Sequence, residues 1–282
     1  MTSKLYLGDC LDILKQLPDG CVDAVVTDPP YPEINRAYGR MTEHEWCTVM
    51  HPVVHELKRV VSARGSAMLI LQANSRAVGS MRPWLWDFLG WCSRQWNIVQ
   101  DVYWWNFTAP PTVHAHRTRG LMKPSVKMCL WLGAQDCYRN QAEVLWAQSD
   151  ASAAQSRSDR ALRIHPSGLS MRPGRAVSVA DERGGSTPFN LIPVANSDST
   201  DSAGAHGHGA GTPSKLCSWW IRYLCPVGGT ILDPFFGSGT VGIVANRLNR
   251  NFIGVEIDPE YFAIAKKRIS EARKAARKAQ SA

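Results

Sequence analysis

The sequence predicts an α/β protein: a doubly wound, mostly parallel sheet, circularly permuted, with an inserted region of different character. Three observations predict it. The apolar run Asp23-Ala24-Val25-Val26-Thr27 stops at Asp28-Pro29-Pro30-Tyr31. Proline cannot donate to a sheet ladder, so the run reads as a buried strand with an abrupt end. Thr230 to Asp233, a glycine turn, Val241 to Leu248 and Phe252 to Val255 read as strand, turn, helix and strand, closed by Glu256. From Asp150 to Gly211, serine, alanine, glycine and arginine dominate and apolar periodicity is lost.

Each element follows from local residues. Leu5-Tyr6-Leu7-Gly8-Asp9-Cys10 reads as a first strand and its exit. Thr42 to Val61 reads as a helix, with acids at Glu43 and Glu45 and apolar positions at Trp46, Met50, Val53, Val54, Leu57 and Val61; Pro52 is expected to kink or divide it. Gly65 to Gln72 is a strand and Ser80 to Gln95 a tryptophan-rich helical segment. Ile98 to Trp105 and Val126 to Leu132 are strands on the far side of the sheet. Alternation along the first of these buries at least one of Trp104 and Trp105. Phe189-Asn190-Leu191-Ile192-Pro193 returns the chain to order. Beyond Glu256, Asp258 is an N-cap and Pro259 a first helical residue. A doubly wound sheet needs a strand beyond that last helix, and the Leu5–Leu7 segment supplies it, which makes the domain permuted.

Composition narrows the function. The chain has 282 residues, 32 Lys and Arg against 24 Asp and Glu, and a formal net charge of +8. A basic surplus suits a polyanionic partner. Lys266, Lys267, Arg268, Arg273, Lys274, Arg277 and Lys278 crowd the last helix and read as a solvated face. The eight cysteines include no C-x-x-C pair and no zinc spacing, so they read as buried or free thiols of a reducing compartment, and no metal site is expected. His51 and His55, four apart, read as a plain helix face, and His206 and His208 as part of a glycine-rich stretch. No apolar run reaches ~18 residues, so a cytoplasmic protein without a membrane anchor is expected.

Two motifs carry chemistry. The first leaves a carboxylate, two restrained carbonyls and an aromatic ring at the carboxyl end of a strand, where open α/β sheets bind ligands. That set suits a flat base bearing an exocyclic amino group. In the second, Gly237, Gly239 and Gly242 fit G-x-G-x-x-G between a strand and a helix, and Glu256 ends the next strand, placed to accept from ribose hydroxyls. Which nucleoside is held stays open on spacing alone. A dinucleotide dehydrogenase usually begins with its glycine fingerprint, so chain order counts against one.

Asp28-Pro29-Pro30-Tyr31, Asp233-Pro234-Phe235-Phe236-Gly237-Ser238-Gly239-Thr240 and Gly254-Val255-Glu256-Ile257-Asp258 resemble the signature elements of amino-group DNA methyltransferases, in the permuted β-type order. The resemblance covers most of the chain outside about Gln135 to Gly211. It implies a seven-stranded sheet of the class I methyltransferase type. It implies a catalytic half at 1–134 with a cofactor-adenine segment at 5–10, a target-recognition region at 135–211, which its small polar stretches lead us to expect to be partly disordered, and a cofactor half at 212–282. It implies S-adenosylmethionine as cofactor and double-stranded DNA as substrate, and it allows a homodimer and a cognate restriction nuclease as partners. The catalytic residues it implies are Asp28, Pro29, Pro30 and Tyr31. The cofactor residues are Asp9, Cys10, Lys215, Asp233, Phe235, Phe236, Gly237, Ser238, Gly239, Thr240, Glu256 and Asp258. Thr212-Pro213-Ser214-Lys215 stands where the family has a Thr-x-Lys-Pro-like segment, with Leu216 in place of the proline. Arg157, Arg160, Arg163, Arg172 and Arg175 stand as phosphate or guanine contacts.

An exocyclic amine is a poor nucleophile because its lone pair is delocalised into the ring. Asp28 and the Pro29 carbonyl can accept its two N–H bonds and stabilise the positive charge that develops on nitrogen. Tyr31 would stack on the flipped base. Within the family, Asp-Pro-Pro-Tyr goes mainly with adenine N6, and serine at the first position with cytosine N4. Asp28 therefore points to adenine. Methylation at cytosine carbon 5 is disfavoured, since no Pro-Cys dipeptide occurs. A catalytically inactive DNA-binding relative and a protein-glutamine methyltransferase are the rivals from other classes.

Overall fold

Five strands that run in parallel bring four acidic residues to one edge. The computed structural model describes residues 1–35, 39–108, 120–147, 163–164, 170–171, 183–196 and 211–280. They form two compact units, Met1–Arg139 with Asn190–Ala282, and Asn140–Phe189. In chain order the larger unit holds β1 (Ser3–Leu7), α1 (Cys10–Gln16), β2 (Val22–Thr27), α2 (Glu43–Val60), β3 (Val61–Leu71), β4 (Ser75–Ala77), β5 (Ser80–Met81), α3 (Trp84–Gln95), β6 (Ile98–Trp105) and β7 (Val126–Gly133). The smaller unit holds a 3-10 turn (Gln141–Val144) and the antiparallel pair β8 (Arg163–Ile164) and β9 (Ser170–Met171). Within it Trp146 bridges Ser186 and meets Phe189 edge-on at 5.2 Å. The larger unit resumes with β10 (Leu191–Pro193), α4 (Ser214–Leu224), β11 (Thr230–Asp233), α5 (Thr240–Arg247), β12 (Asn251–Glu256) and α6 (Pro259–Gln280). Arg157, Arg160, Arg172, Arg175, His206 and His208 lie outside the described residues.

The main sheet has the order β1-β12-β11-β2-β3-β7-β6-β10. β1, β12, β11, β2 and β3 are mutually parallel, and β7 runs antiparallel between β3 and β6. The amino-terminal strand pairs with β12 from Ser3↔Phe252 to Leu7↔Glu256, which is the permuted arrangement the sequence predicts. The sheet has eight strands rather than seven. Three residues after the inserted stretch, Leu191–Pro193, pair parallel with Tyr103–Trp105 at the edge. Proline is tolerated there because an edge strand has a free side.

Each face of the sheet is covered. One core contains Ala24, Met68, Trp131, Trp220, Ile231 and Phe252; the other contains Val25, Trp46, Leu57, Leu69, Phe88 and Val255. Alternating residues of one strand thus serve opposite cores, as period-two geometry requires. Helix α2 is not divided. It runs unbroken through Pro52, held at its start by a reciprocal capping box between Thr42 and Glu45, and its apolar stripe is buried. The tryptophan-rich helix starts later than expected, at Trp84, because Ser80–Met81 pair with Ser75–Ala77 instead. Trp104 is buried and Trp105 exposed, as alternation demands. His51 stacks on Trp91 at 3.9 Å, so this helix face is spent on packing.

Candidate active site

The strand ends meet at the topological switch of the sheet. β11 leads to β12 on one side and β2 to β3 on the other, and a cleft of about 340 Å³ opens between their carboxyl ends. Its walls include Gly8, Asp9 and Cys10 after β1, Asp28 to Tyr31 after β2, Asp233 to Ser238 after β11, Thr240, and Glu256 at the end of β12. Residues that lie more than two hundred positions apart in the chain share one cavity.

Asp28 is the hub of the first wall. The Tyr31 hydroxyl donates to Asp28 Oδ1. Lys127 Nζ donates to Asp28 Oδ2 at 3.2 Å and to the Tyr31 hydroxyl at 3.1 Å. Thr212 Oγ1 lies 3.3 Å from Asp28 Oδ2. The loop carrying Asp28 is pinned from behind. Trp46 Nε1 donates to the Pro30 carbonyl at 2.5 Å, Asn74 Nδ2 to the Pro32 carbonyl at 2.7 Å, and Trp84 Nε1 to Asn74 Oδ1 at 3.0 Å. The Tyr31 ring is inclined by 30° to that of Trp84, with centroids 6.4 Å apart. Glu33 then takes a left-handed φ of 63°, accepts from Arg40 and lies 3.8 Å from the Arg82 guanidinium as an ion pair, and beyond this turn Ile34 and Met41 reach the cleft. The Arg40 guanidinium holds the Glu33 carboxyl below its usual range.

The second wall is a glycine elbow. Gly237 and Gly239 have φ of 49° and 85°, values at which a side chain would be strained. Gly239 and Gly242 also answer a packing demand. A Cβ on Gly239 would sit 2.9 Å from Ala265 Cβ, and one on Gly242 2.6 Å from the Phe252 ring. Two of the three glycines in the pattern therefore admit helix and strand neighbours, and Gly237 faces the cleft. Glu256 accepts from Gly237 N at 2.8 Å and from Asp258 N at 2.9 Å, and burial raises its pKa. Asp233 is buried, accepts from Thr27 Oγ1 at 2.7 Å and from Phe235 N at 3.1 Å, and is pushed up to about 7 by desolvation. Arg268, buried on α6, donates to the Ser238 carbonyl at 2.6 Å and so fixes the elbow from outside.

Three residues singled out from the sequence are absent from the cleft wall. Lys215 is exposed on the first turn of α4, Gly239 faces Ala265, and Asp258 caps α6 by accepting from Glu260 N and Tyr261 N. Asp9 caps α1 through Leu11 N while bordering the cleft, and burial pushes the neighbouring Cys10 thiol up to about 12. Sequence reasoning missed Lys127, Trp46, Asn74, Trp84 and Arg268 in their site roles. Among the described residues no cluster of metal-ligating side chains occurs and no helix is long and apolar enough to cross a membrane.

Thr240 Oγ1 is buried on the cleft side of the elbow and has no hydrogen-bond partner among the described residues. A buried hydroxyl left unpaired is costly. Together with a carboxylate at the tip of β12, it fits a polar, nucleoside-bearing ligand.

Known proteins resemble the chain along most of its length. It is 27% identical over 292 residues to the type II methyltransferase M.PvuII of Proteus hauseri, covering 92% of this chain and 81% of that one. The solved PvuII DNA methyltransferase, described as cytosine-N4-specific, superposes with a TM-score of 0.71 at 20% identity, covering 97% of this chain and 92% of that one. The M1.HpyAVI–SAM complex gives a TM-score of 0.58 at 19% identity, covering 95% of this chain and 99% of that one. At such identities the solved structures speak to the fold. The N6_N4_Mtase family, described as DNA methylase, matches residues 22–267. With that match spanning most of the chain, and with the acid-proline-proline step and the glycine elbow opening onto one cleft, the protein belongs to the N6/N4 DNA methylase family.

Proposed function

We propose that the protein transfers the methyl group of S-adenosylmethionine to N6 of adenine at a specific site in double-stranded DNA, taking the base out of the helix to do so. The carrying observation is that Asp28 and the elbow around Gly237 line the same cleft, so an amine acceptor and a nucleoside site face each other. When bound, S-adenosylmethionine supplies an electrophilic methyl group on a sulfonium. Glu256 would hold the ribose hydroxyls, Asp9 and Cys10 would border the cofactor's adenine, and Thr240 would offer its buried hydroxyl.

The chain's own residues do the rest. Asp28 is a carboxylate in a partly buried position and can take an N–H of the target amine, which directs the nitrogen lone pair away from the ring. Fixed acceptors of this kind stabilise positive charge as it develops, without reorganisation at the moment of transfer. Trp46, Asn74 and Trp84 hold the loop so that Asp28 keeps its aim. Such alignment converts a bimolecular encounter into one of fixed geometry. The proton can pass from nitrogen to solvent after transfer, so Asp28 serves as a hydrogen-bond acceptor and need not be a strong base. The reading also carries a cytoplasmic location, alongside the DNA substrate.

Cytosine N4 is the second reading, favoured by likeness to a cytosine-N4-specific enzyme. Incubation with S-adenosylmethionine and unmethylated DNA, digestion to nucleosides and mass spectrometry separates the two. N6-methyladenine is the expected product. N4-methylcytosine alone would transfer the assignment to the second reading.

A further inference from the structure

Lys127 has no place in the sequence motifs, yet it makes direct contacts with two residues of the acid-proline-proline step. It stands at the start of β7, which runs antiparallel to β3, so its first residues arrive where β2 and β3 end. Its neighbours in register are Trp104 on one side and, through Met128, Leu71 on the other. Its ammonium lies 5.2 Å from the Tyr31 ring centroid and 5.1 Å from that of Trp104.

From this arrangement we infer that Lys127 competes with the target amine for Asp28, so that base capture requires breaking an ammonium–carboxylate–phenol lock. The inference rests on the proposed reaction. A carboxylate offers about four acceptor positions. Tyr31, Lys127 and Thr212 take three of those on Asp28. The ammonium also holds the hydroxyl of Tyr31. An exocyclic amine brings N–H donors of the same kind to the same oxygens. Methyl transfer then builds positive charge on that amine, and an ammonium on the same carboxylate would oppose it as a like charge. Lys127 and Thr212 fill both positions on Oδ2, so an amine that takes that oxygen must displace the ammonium, and the charge the amine develops keeps the ammonium away at the moment of reaction. Lys127 holds Asp28 and Tyr31 in a closed arrangement that the target amine must displace.

An enzyme whose competent state is only part of the population binds with an apparent affinity reduced by that fraction. Removing the charge should therefore strengthen apparent DNA binding. The test is steady-state transfer from tritiated S-adenosylmethionine to unmethylated phage DNA at saturating cofactor. Lys127→Met and Lys127→Gln are expected to lower KM for DNA by about fivefold or more, while Lys127→Arg keeps the wild-type value. Two neutral variants guard against one that fails to fold. A role confined to packing would lower Tm without lowering KM. An unchanged KM in an active neutral variant overturns the inference. So does a raised KM accompanied by a salt slope smaller by about one, which would put Lys127 on a phosphate. Absence of transfer by the wild-type enzyme is a different result, and removes the proposed reaction together with the inference.

Discussion

Trp46 and Pro30 meet across 2.5 Å, indole N–H to carbonyl, and this contact ties the core of one sheet face to the loop that carries Asp28. Trp46 is fully buried and packs edge-on against Trp84 and Phe88 at 4.8 and 4.7 Å. The loop is thus anchored to rigid packing. Trp46→Phe removes the donor and leaves the partly buried Pro30 carbonyl without its indole partner. The expected cost is about 2 kcal/mol or more in denaturant unfolding. Turnover should fall further than cofactor affinity, because the elbow lies on the opposite wall. Calorimetric titration with S-adenosylmethionine alongside transfer assays checks the split.

Arg268 plays the corresponding part for the elbow. Its guanidinium reaches the Ser238 carbonyl at 2.6 Å from a buried position on α6. A hydrogen bond from a charged group is worth about 1.5–3 kcal/mol. Arg268→Met is predicted to weaken S-adenosylmethionine binding by about tenfold, or about 1.4 kcal/mol. Unaltered affinity in a folded variant would mean that the elbow holds its shape without the arginine.

Asp233 gives the stability a pH dependence. Its carboxyl is raised from 3.8 to about 7 in the folded protein by desolvation. Between those values the folded state binds more protons than the unfolded state, so stability falls as pH rises from about 4 to about 7 and then levels off. Burial raises Glu256 as well, with the same sign. Asp233→Asn keeps an acceptor for Thr27 and Phe235 and should flatten the decline between pH 4 and pH 7 in thermal melts. A decline equally steep in the variant would assign it to other groups.

Thr240 gives a direct test of the cofactor wall. Its hydroxyl is buried without a partner among the described residues. Thr240→Val keeps the volume and removes that hydroxyl. The wild-type protein should gain about 2.7 kcal/mol at S-adenosylmethionine near a hundred times Kd. The variant, at the same concentration, should gain less, while its melting point without ligand should not fall. A full shift in the variant would leave the hydroxyl without a role.

Much of this architecture was legible because it rests on local rules. Asp28-Pro29-Pro30 ends a strand through the chemistry of proline, and the elbow shows itself through Gly237, Gly239 and Glu256 at set spacing. The permuted order follows from the need for a strand beyond α6, met by Ser3–Leu7. What was hidden depends on distance in the chain. Lys127 is a lone lysine in an apolar strand, and only the antiparallel register of β3 and β7 brings it to Asp28. Trp46 and Trp84 read correctly as core, yet their N–H groups serve Pro30 and Asn74, which no periodicity reveals. Pro52 does not divide α2. Its local penalty is real, but the buried stripe of α2 and its capping box outweigh it. The eighth strand is three residues long, too short for alternation to register.

The central claim is that Asp28 acts on the target amine in a cleft whose other wall holds the methyl donor. Asp28→Ala tests it most directly, with S-adenosylmethionine binding measured by calorimetry and methyl transfer to DNA by tritium incorporation. Binding within a fewfold of wild type together with loss of transfer by a factor of about a hundred or more is the predicted result. Transfer at the wild-type rate in that variant would contradict it.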